Sequence, residues 1–158
     1  MKISNTFKLI IAVLACETIG IIGSLFTIPS IADWYAHLVK PALAPPNWIF
    51  GPVWTLLFML MGVAMYLIWR KGLEWREIRI ALGVFACQLL LNSLWSIIFF
   101  GLRSPVWAFV EIIFLWLAIL TTIIVFAKIS KPAAWLLAPY ILWVVFAAYL
   151  NYAIYALN

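Results

Sequence analysis

The chain has 158 residues, 68% of them hydrophobic and 9% charged, with a mean hydropathy of +1.17. A soluble domain is about 45–50% apolar and about 25% charged, so that class is excluded and an all-α integral membrane protein is the reading that fits. The net charge of +5 comes from ten Lys/Arg against five Asp/Glu, and the basic residues lie mostly between the apolar runs, where they act as topology signals and not as a nucleic-acid surface.

Five apolar runs are long enough to cross the lipid bilayer as helices, since a span needs about 20 residues and a barrel strand about ten in strict alternation. The predicted spans are residues 7–28, 47–69, 78–100, 106–127 and 133–157. Connections are short except for 29–46, so an antiparallel five-helix bundle in one domain, 1–158, is expected. The first sixteen residues loosely resemble a signal peptide or a lipoprotein cleavage site, but the apolar run continues past Cys16 to Ile28, too long for a removed signal, and Leu14 suits a lipoprotein site poorly. Within this span Cys16, Gly20, Gly23, Ser24 and Thr27 form a small-residue face suited to close helix contact. Glu17 sits mid-span, where a charge is expensive, and is read as a hydrogen-bonding group inside the bundle, with a proton relay as the alternative.

The first loop, PSIADWYAHLVKPALAPP, is the longest. Its segment 33–39 is expected to form a short amphipathic helix with Trp34, Leu38 and Tyr35 toward the membrane, either as a lid over the bundle mouth or as an interfacial aromatic belt. His37 is the one histidine, and nothing near it in sequence completes a metal site, so no metal is expected. In the second span Pro45 and Pro46 end the loop, a helix starts near Asn47, and Pro52 bends its first turns. Trp54, Phe58, Met61 and Met65 then recur at helical spacing as one wall of a pocket.

The third span carries a polar stripe, Gln88, Asn92, Trp95, Ser96 and Phe99, whose amides need partners inside the protein. Ala81, Gly83, Ala86 and Cys87 make small patches for a neighbouring helix or a second subunit. The fourth span presents Glu111, Leu115, Ala118 and Thr122. The fifth presents Tyr140, Trp143, Ala147 and Asn151. Stacking on Trp54, Trp95 and Trp143, with hydrogen bonds from Asn92 or Asn151, suits a flat apolar ligand; the alternative is that these residues only pack the bundle. Serine-elbow, phosphate-loop and metal-ligand motifs are lacking.

Over nearly its whole length the chain resembles the TspO/MBR family of tryptophan-rich sensory and translocator proteins. The resemblance rests on PPNWIFGPVWTLLFMLMG at 45–62, NSLWSIIFFGLRSP at 92–105, PYILWVVFAAYLN at 139–151, and five spans with a long first loop. It implies a five-transmembrane-helix bundle, homodimeric, with a pocket that the first loop closes as a lid. The implied ligands are porphyrin-like tetrapyrroles, with sterols and isoquinoline carboxamide drugs as further partners, and no resident cofactor. The implied pocket takes Tyr35 and Pro45 from the loop and Trp54 and Phe58 from the second span. Asn92, Trp95 and Ser96 come from the third, Ile112 and Leu115 from the fourth, Trp143 and Ala147 from the fifth. Transport or sensing is the leading role. A second reading is light-dependent porphyrin breakdown with Trp54 and Trp143 as catalytic residues, and a third is a ligand-free regulatory or structural subunit. The sterol motif of mitochondrial members is lacking at the end of the fifth span, where Tyr149, Tyr152 and Tyr155 are followed by no Lys or Arg.

Eight Lys/Arg (Lys2, Lys8, Arg70, Lys71, Arg76, Arg79, Lys128, Lys131) fall on one side of the bundle and two, Lys40 and Arg103, on the other. Basic residues stay in the cytoplasm, so the N-terminus is expected inside and the C-terminus outside, in a bacterial membrane. Reporter fusions should be active on the outer side only when attached at the C-terminus; an internal C-terminus would overturn this topology.

Overall fold

A computed structural model describes residues 4–158; Met1 and Lys2 lie outside the described residues. The helices are α1 (Asn5–Ala32), α2 (Asn47–Trp69), α3 (Arg76–Ser96), α4 (Pro105–Ile129), α5 (Lys131–Leu136) and α6 (Ala138–Leu157). A π-helical turn, Ile97–Gly101, continues α3, and α5 and α6 together make one span, giving five helices long and apolar enough to cross a membrane. Large side chains such as Leu25, Leu90 and Leu142 point outward, as they must where the solvent is lipid. The chain is a multi-pass membrane protein.

Local chemistry explains most boundaries. Ser4 caps α1 by accepting the Phe7 amide at 3.2 Å. Pro105 sits in the first turn of α4, where a missing N–H costs nothing. Pro139 has no N–H for the Trp135 carbonyl, and the last span accordingly breaks at Leu137. One boundary differs from the sequence reading. α1 does not stop before Pro29 but runs through it to Ala32, so the loop shortens to 33–46. Proline inside a helix removes a single hydrogen bond, and the following turn is held by Ser30, buried, whose hydroxyl donates to the Phe100 carbonyl at 2.7 Å.

The π turn has its own signature: the Leu102 amide bonds the Ile97 carbonyl at 2.8 Å, five residues back. It turns Phe99 into the core, where it is 2% exposed. The turn ends at Arg103, in the left-handed region at φ 53°, whose guanidinium pairs with Asp33 at 2.6 Å.

The chain alternates between two ends of the bundle, a lid end and a basic end. α1 packs on α2 and α3, while α4 stands behind, against α3 and α6. α1 and α2 touch backbone to backbone at Gly62, where a Cβ would fall 2.5 Å from Val13 Cα. Nearer the lid, Gly20 lies against the Phe58 ring, which a Cβ there would approach to 2.6 Å. At the basic end the core is sealed by Phe85 stacked on Phe126, centroids 5.6 Å apart. The small residues of α3 divide. Ala81 is buried inside the bundle, whereas Gly83, Ala86 and Cys87 face outward, with no atom within 4 Å of a Cβ placed on Gly83.

Candidate functional site

Between α1, α2, α3 and α6, in the half of the bundle under the lid, lies a cavity of about 440 Å³. This is within the roughly 300–1,000 Å³ of small-molecule sites. α2 supplies Phe50, Trp54 and Phe58, four residues apart and so one above another. Trp54 leans on Phe58 at 5.6 Å and meets Tyr140 edge-on at 6.3 Å. From α3 come Asn92, Ser96 and Trp95, the last stacked on Phe99 at 5.1 Å. α6 adds Ala147 and Trp143, whose ring meets Phe50 edge-on at 6.0 Å.

The space itself comes from α1. Gly20, Gly23, Ser24 and Thr27 line the cavity, so much of the face that the sequence suggested for helix contact is instead a thin wall. At Gly23 a Cβ would approach the Ser96 hydroxyl to 3.1 Å. The stripe of small residues was the available signal, but it does not distinguish a packed neighbour from a ligand. Between α1 and α2 the cavity also reaches exposed residues, Ile21, Ile28, Trp48 and Gly51, so it opens sideways as well as toward the lid.

The lid turns inward. Residues Tyr35–His37 form a 3₁₀ turn, not an amphipathic helix, and Tyr35 is 6% exposed against Phe99 and Phe100 instead of facing the membrane. Trp34 likewise packs edge-on to Phe99 at 5.5 Å. Burial raises the Tyr35 phenol above its ordinary pKa, keeping it a neutral hydroxyl over the cavity. The loop is tied down by the Asp33–Arg103 ion pair and by Val39, whose amide and carbonyl both bond the Asn158 side chain, at 2.9 and 3.0 Å. Lys40 caps the Tyr35 ring at 4.7 Å. His37 faces its own chain, Nδ1 against the Asp33 carbonyl. No cluster of three metal-ligating side chains occurs among the described residues.

Tyr35, Trp54, Phe58, Asn92, Trp95, Ser96, Trp143 and Ala147 therefore share one cavity. Three residues of the sequence-derived pocket do not reach it. Pro45 is half-buried in the loop, away from the lining. Ile112 and Leu115, 1% and 2% exposed, belong to the packed core, because α4 lies behind α3 and α6 and has no face on the cavity.

Hydrogen bonding decides which polar atoms remain for a ligand. Asn151 already serves the fold: its carbonyl accepts the Trp95 indole N–H at 3.0 Å and its amide donates to the Pro105 carbonyl at 2.7 Å. It therefore fixes Trp95, a partner that the sequence reading did not give it. Asn92 donates to the Tyr140 hydroxyl at 3.0 Å, and that hydroxyl donates to Gln88 at 2.9 Å, so a buried relay orients the Asn92 amide. Ser24, Thr27 and Thr55 spend their hydroxyl protons on their own helices. Left over are the Trp143 indole N–H and one Glu17 oxygen, both buried and without a partner in the cavity wall, together with the unused capacity of Asn92 and Ser96.

Residues 12–157 match the TspO/MBR family. Among curated proteins the chain is 47% identical to the tryptophan-rich protein TspO of Archaeoglobus fulgidus, over 98% of this chain and 99% of that one. It is 40% identical to the translocator protein of Ovis aries, over 88% of this chain and 83% of that one. It is 32% identical to the tryptophan-rich sensory protein of Cereibacter sphaeroides, over 80% and 77%.

Replacing Asn151 by Leu strands the part-buried Trp95 N–H, an orphaned polar group costing about 1–3 kcal/mol, and unties the start of α4. A clear fall in unfolding temperature in detergent is expected, larger than for Asn158→Ala at the exposed end of the same helix; equal effects would show that Asn151 is not the tie described.

Proposed function

The chain belongs to the TspO/MBR family, and from that premise we propose that it is a membrane carrier or sensor whose cavity binds a flat, largely apolar, porphyrin-like ring. The observation that carries this reading is the meeting of three indoles from three helices, Trp54, Trp95 and Trp143, around one cavity of about 440 Å³ roofed by Tyr35. Such a slot suits a planar ligand, since a face offered to an indole gains both burial and stacking. The Trp143 N–H and the Asn92 amide then hold its polar rim. The names translocator protein and tryptophan-rich sensory protein, carried by relatives, favour transport or signalling over a purely structural role. The same indoles lend themselves to light-driven oxidation of a bound porphyrin, the second reading, with Trp54 and Trp143 as the groups at risk. Sterols and isoquinoline carboxamides are further candidates for the same cavity.

Binding is to be followed by quenching of porphyrin fluorescence with the protein in nanodiscs. Trp54→Ala and Trp143→Ala should each weaken it about tenfold or more, because about 0.5–1.5 kcal/mol of stacking is lost on top of burial. Trp135→Ala, 76% exposed on the outside, should bind like wild type. Wild-type affinity in both cavity variants would refute the site. Loss of porphyrin bleaching in light with binding retained would favour the oxidative reading over the carrier.

We also propose a homodimer joined through the outward face of Gly83, Ala86 and Cys87, where two helices can approach closely. Gly83→Leu meets no atom of its own chain, so it should leave the monomer's stability intact and reduce crosslinked dimer. An unchanged dimer would place the interface elsewhere.

A further inference from the structure

The basic end of the bundle is crowded with cations, and several already have occupations. The Arg79 guanidinium donates to the Leu73 and Glu74 carbonyls at 2.7 and 2.9 Å and so holds the turn between α2 and α3. Arg70 lies over the Tyr66 ring at 5.7 Å and Lys8 over Trp69 at 5.9 Å. Lys71 and Lys128 are different. They come from different helix ends, both are exposed, and they converge on one groove of about 340 Å³ with Trp75, Glu77, Ile78 and Ile129. Among the described residues the one ion pair is Arg103–Asp33, at the opposite end of the molecule, so neither ammonium is neutralised by a carboxylate contact.

We propose that this groove binds the phosphate of an anionic phospholipid headgroup, with Lys71 and Lys128 as its charge contacts. Its depth suits that occupant. α3 begins at Arg76 and α4 ends at Ile129, so the groove lies where the spans leave the hydrocarbon and lipid phosphates reside. Trp75, 57% exposed, stands at this boundary as interfacial indoles do. Half of the lining, Ile78, Ile129 and the Trp75 ring, is apolar. A free inorganic anion makes no use of that surface, whereas a lipid lays its glycerol and first acyl carbons on it. Glu77 also lines the groove but pairs with neither ammonium, so both remain available to the phosphate.

The full chain in detergent micelles, titrated with phosphatidylglycerol or phosphatidylcholine and observed by native mass spectrometry, tests this. Phosphatidylglycerol should be retained preferentially. Lys71→Gln combined with Lys128→Gln should reduce that preference about tenfold, and the double Lys→Arg variant should preserve it. Lys131→Gln removes a neighbouring cation outside the groove and should behave as wild type. Equal retention of the two lipids would overturn the proposal, as would an equal loss in Lys131→Gln, which would mean diffuse surface charge. Complete displacement by millimolar inorganic phosphate would show a free-anion site in place of a lipid site, and would overturn it as well.

Discussion

Inside a bilayer a polar group that finds no partner within the protein has none at all, and the amide of Asn151 meets that constraint for three segments at once. It sits on α6, holds the Trp95 indole of α3 at 3.0 Å, and bonds the Pro105 carbonyl of α4 at 2.7 Å. Pro105 opens α4, so the second bond ties α6 to the start of that helix. The orientation of Trp95, and so one wall of the cavity, follows from the same two bonds. The Gln88–Tyr140–Asn92 relay does the equivalent for the opposite end of that wall. Because these amides already serve the fold, the cavity offers few free polar atoms and its character is set by indole and phenyl faces.

Cavity and core are made by the same two helices at different heights. At Gly62 the backbones of α1 and α2 are in contact, and at Gly20 the Phe58 ring fills the remaining gap. Further toward the lid the small residues of α1 continue, but α2 now presents Trp54 and Phe50 at an angle, and the space between them becomes the cavity. The π turn of α3 completes the arrangement. Its extra residue aims Phe99 inward beneath Tyr35 and leaves the Phe100 carbonyl for Ser30, which fastens the end of α1. Arg103, in a backbone region that L residues seldom occupy, then reaches Asp33 and secures the loop.

The two ends of the molecule are built by different chemistry. The lid end uses aromatic contacts, one ion pair and the Val39–Asn158 amide pair, all local to the mouth of the cavity. The basic end uses a tight core, Phe85 on Phe126, beneath a rim of cations. The proposed ligand cavity and the proposed lipid groove thereby lie at opposite ends of the bundle.

Hydropathy and spacing by themselves determined the five spans, the α2 boundaries at Asn47 and Trp69, and the inward aromatic faces of α2, α3 and α6, because these depend on residues that are near one another along a single helix. The family resemblance added Tyr35 and Ser96 to the indoles and Asn92 already grouped by their helix faces. Tertiary structure alone decided what each face meets. Ile112 and Leu115 read as inward residues and are inward, but α4 sits in the second row, so they face core and not cavity. Asn151 reads as an amide that the fifth span could offer a ligand, and only the arrival of Trp95 and Pro105 from distant parts of the chain ties it to the fold. Pro29 reads as a helix end, yet the long-range bond from Ser30 to Phe100 holds α1 together beyond it. In each case the deciding partner lies tens of residues away, where a local pattern carries no information about it.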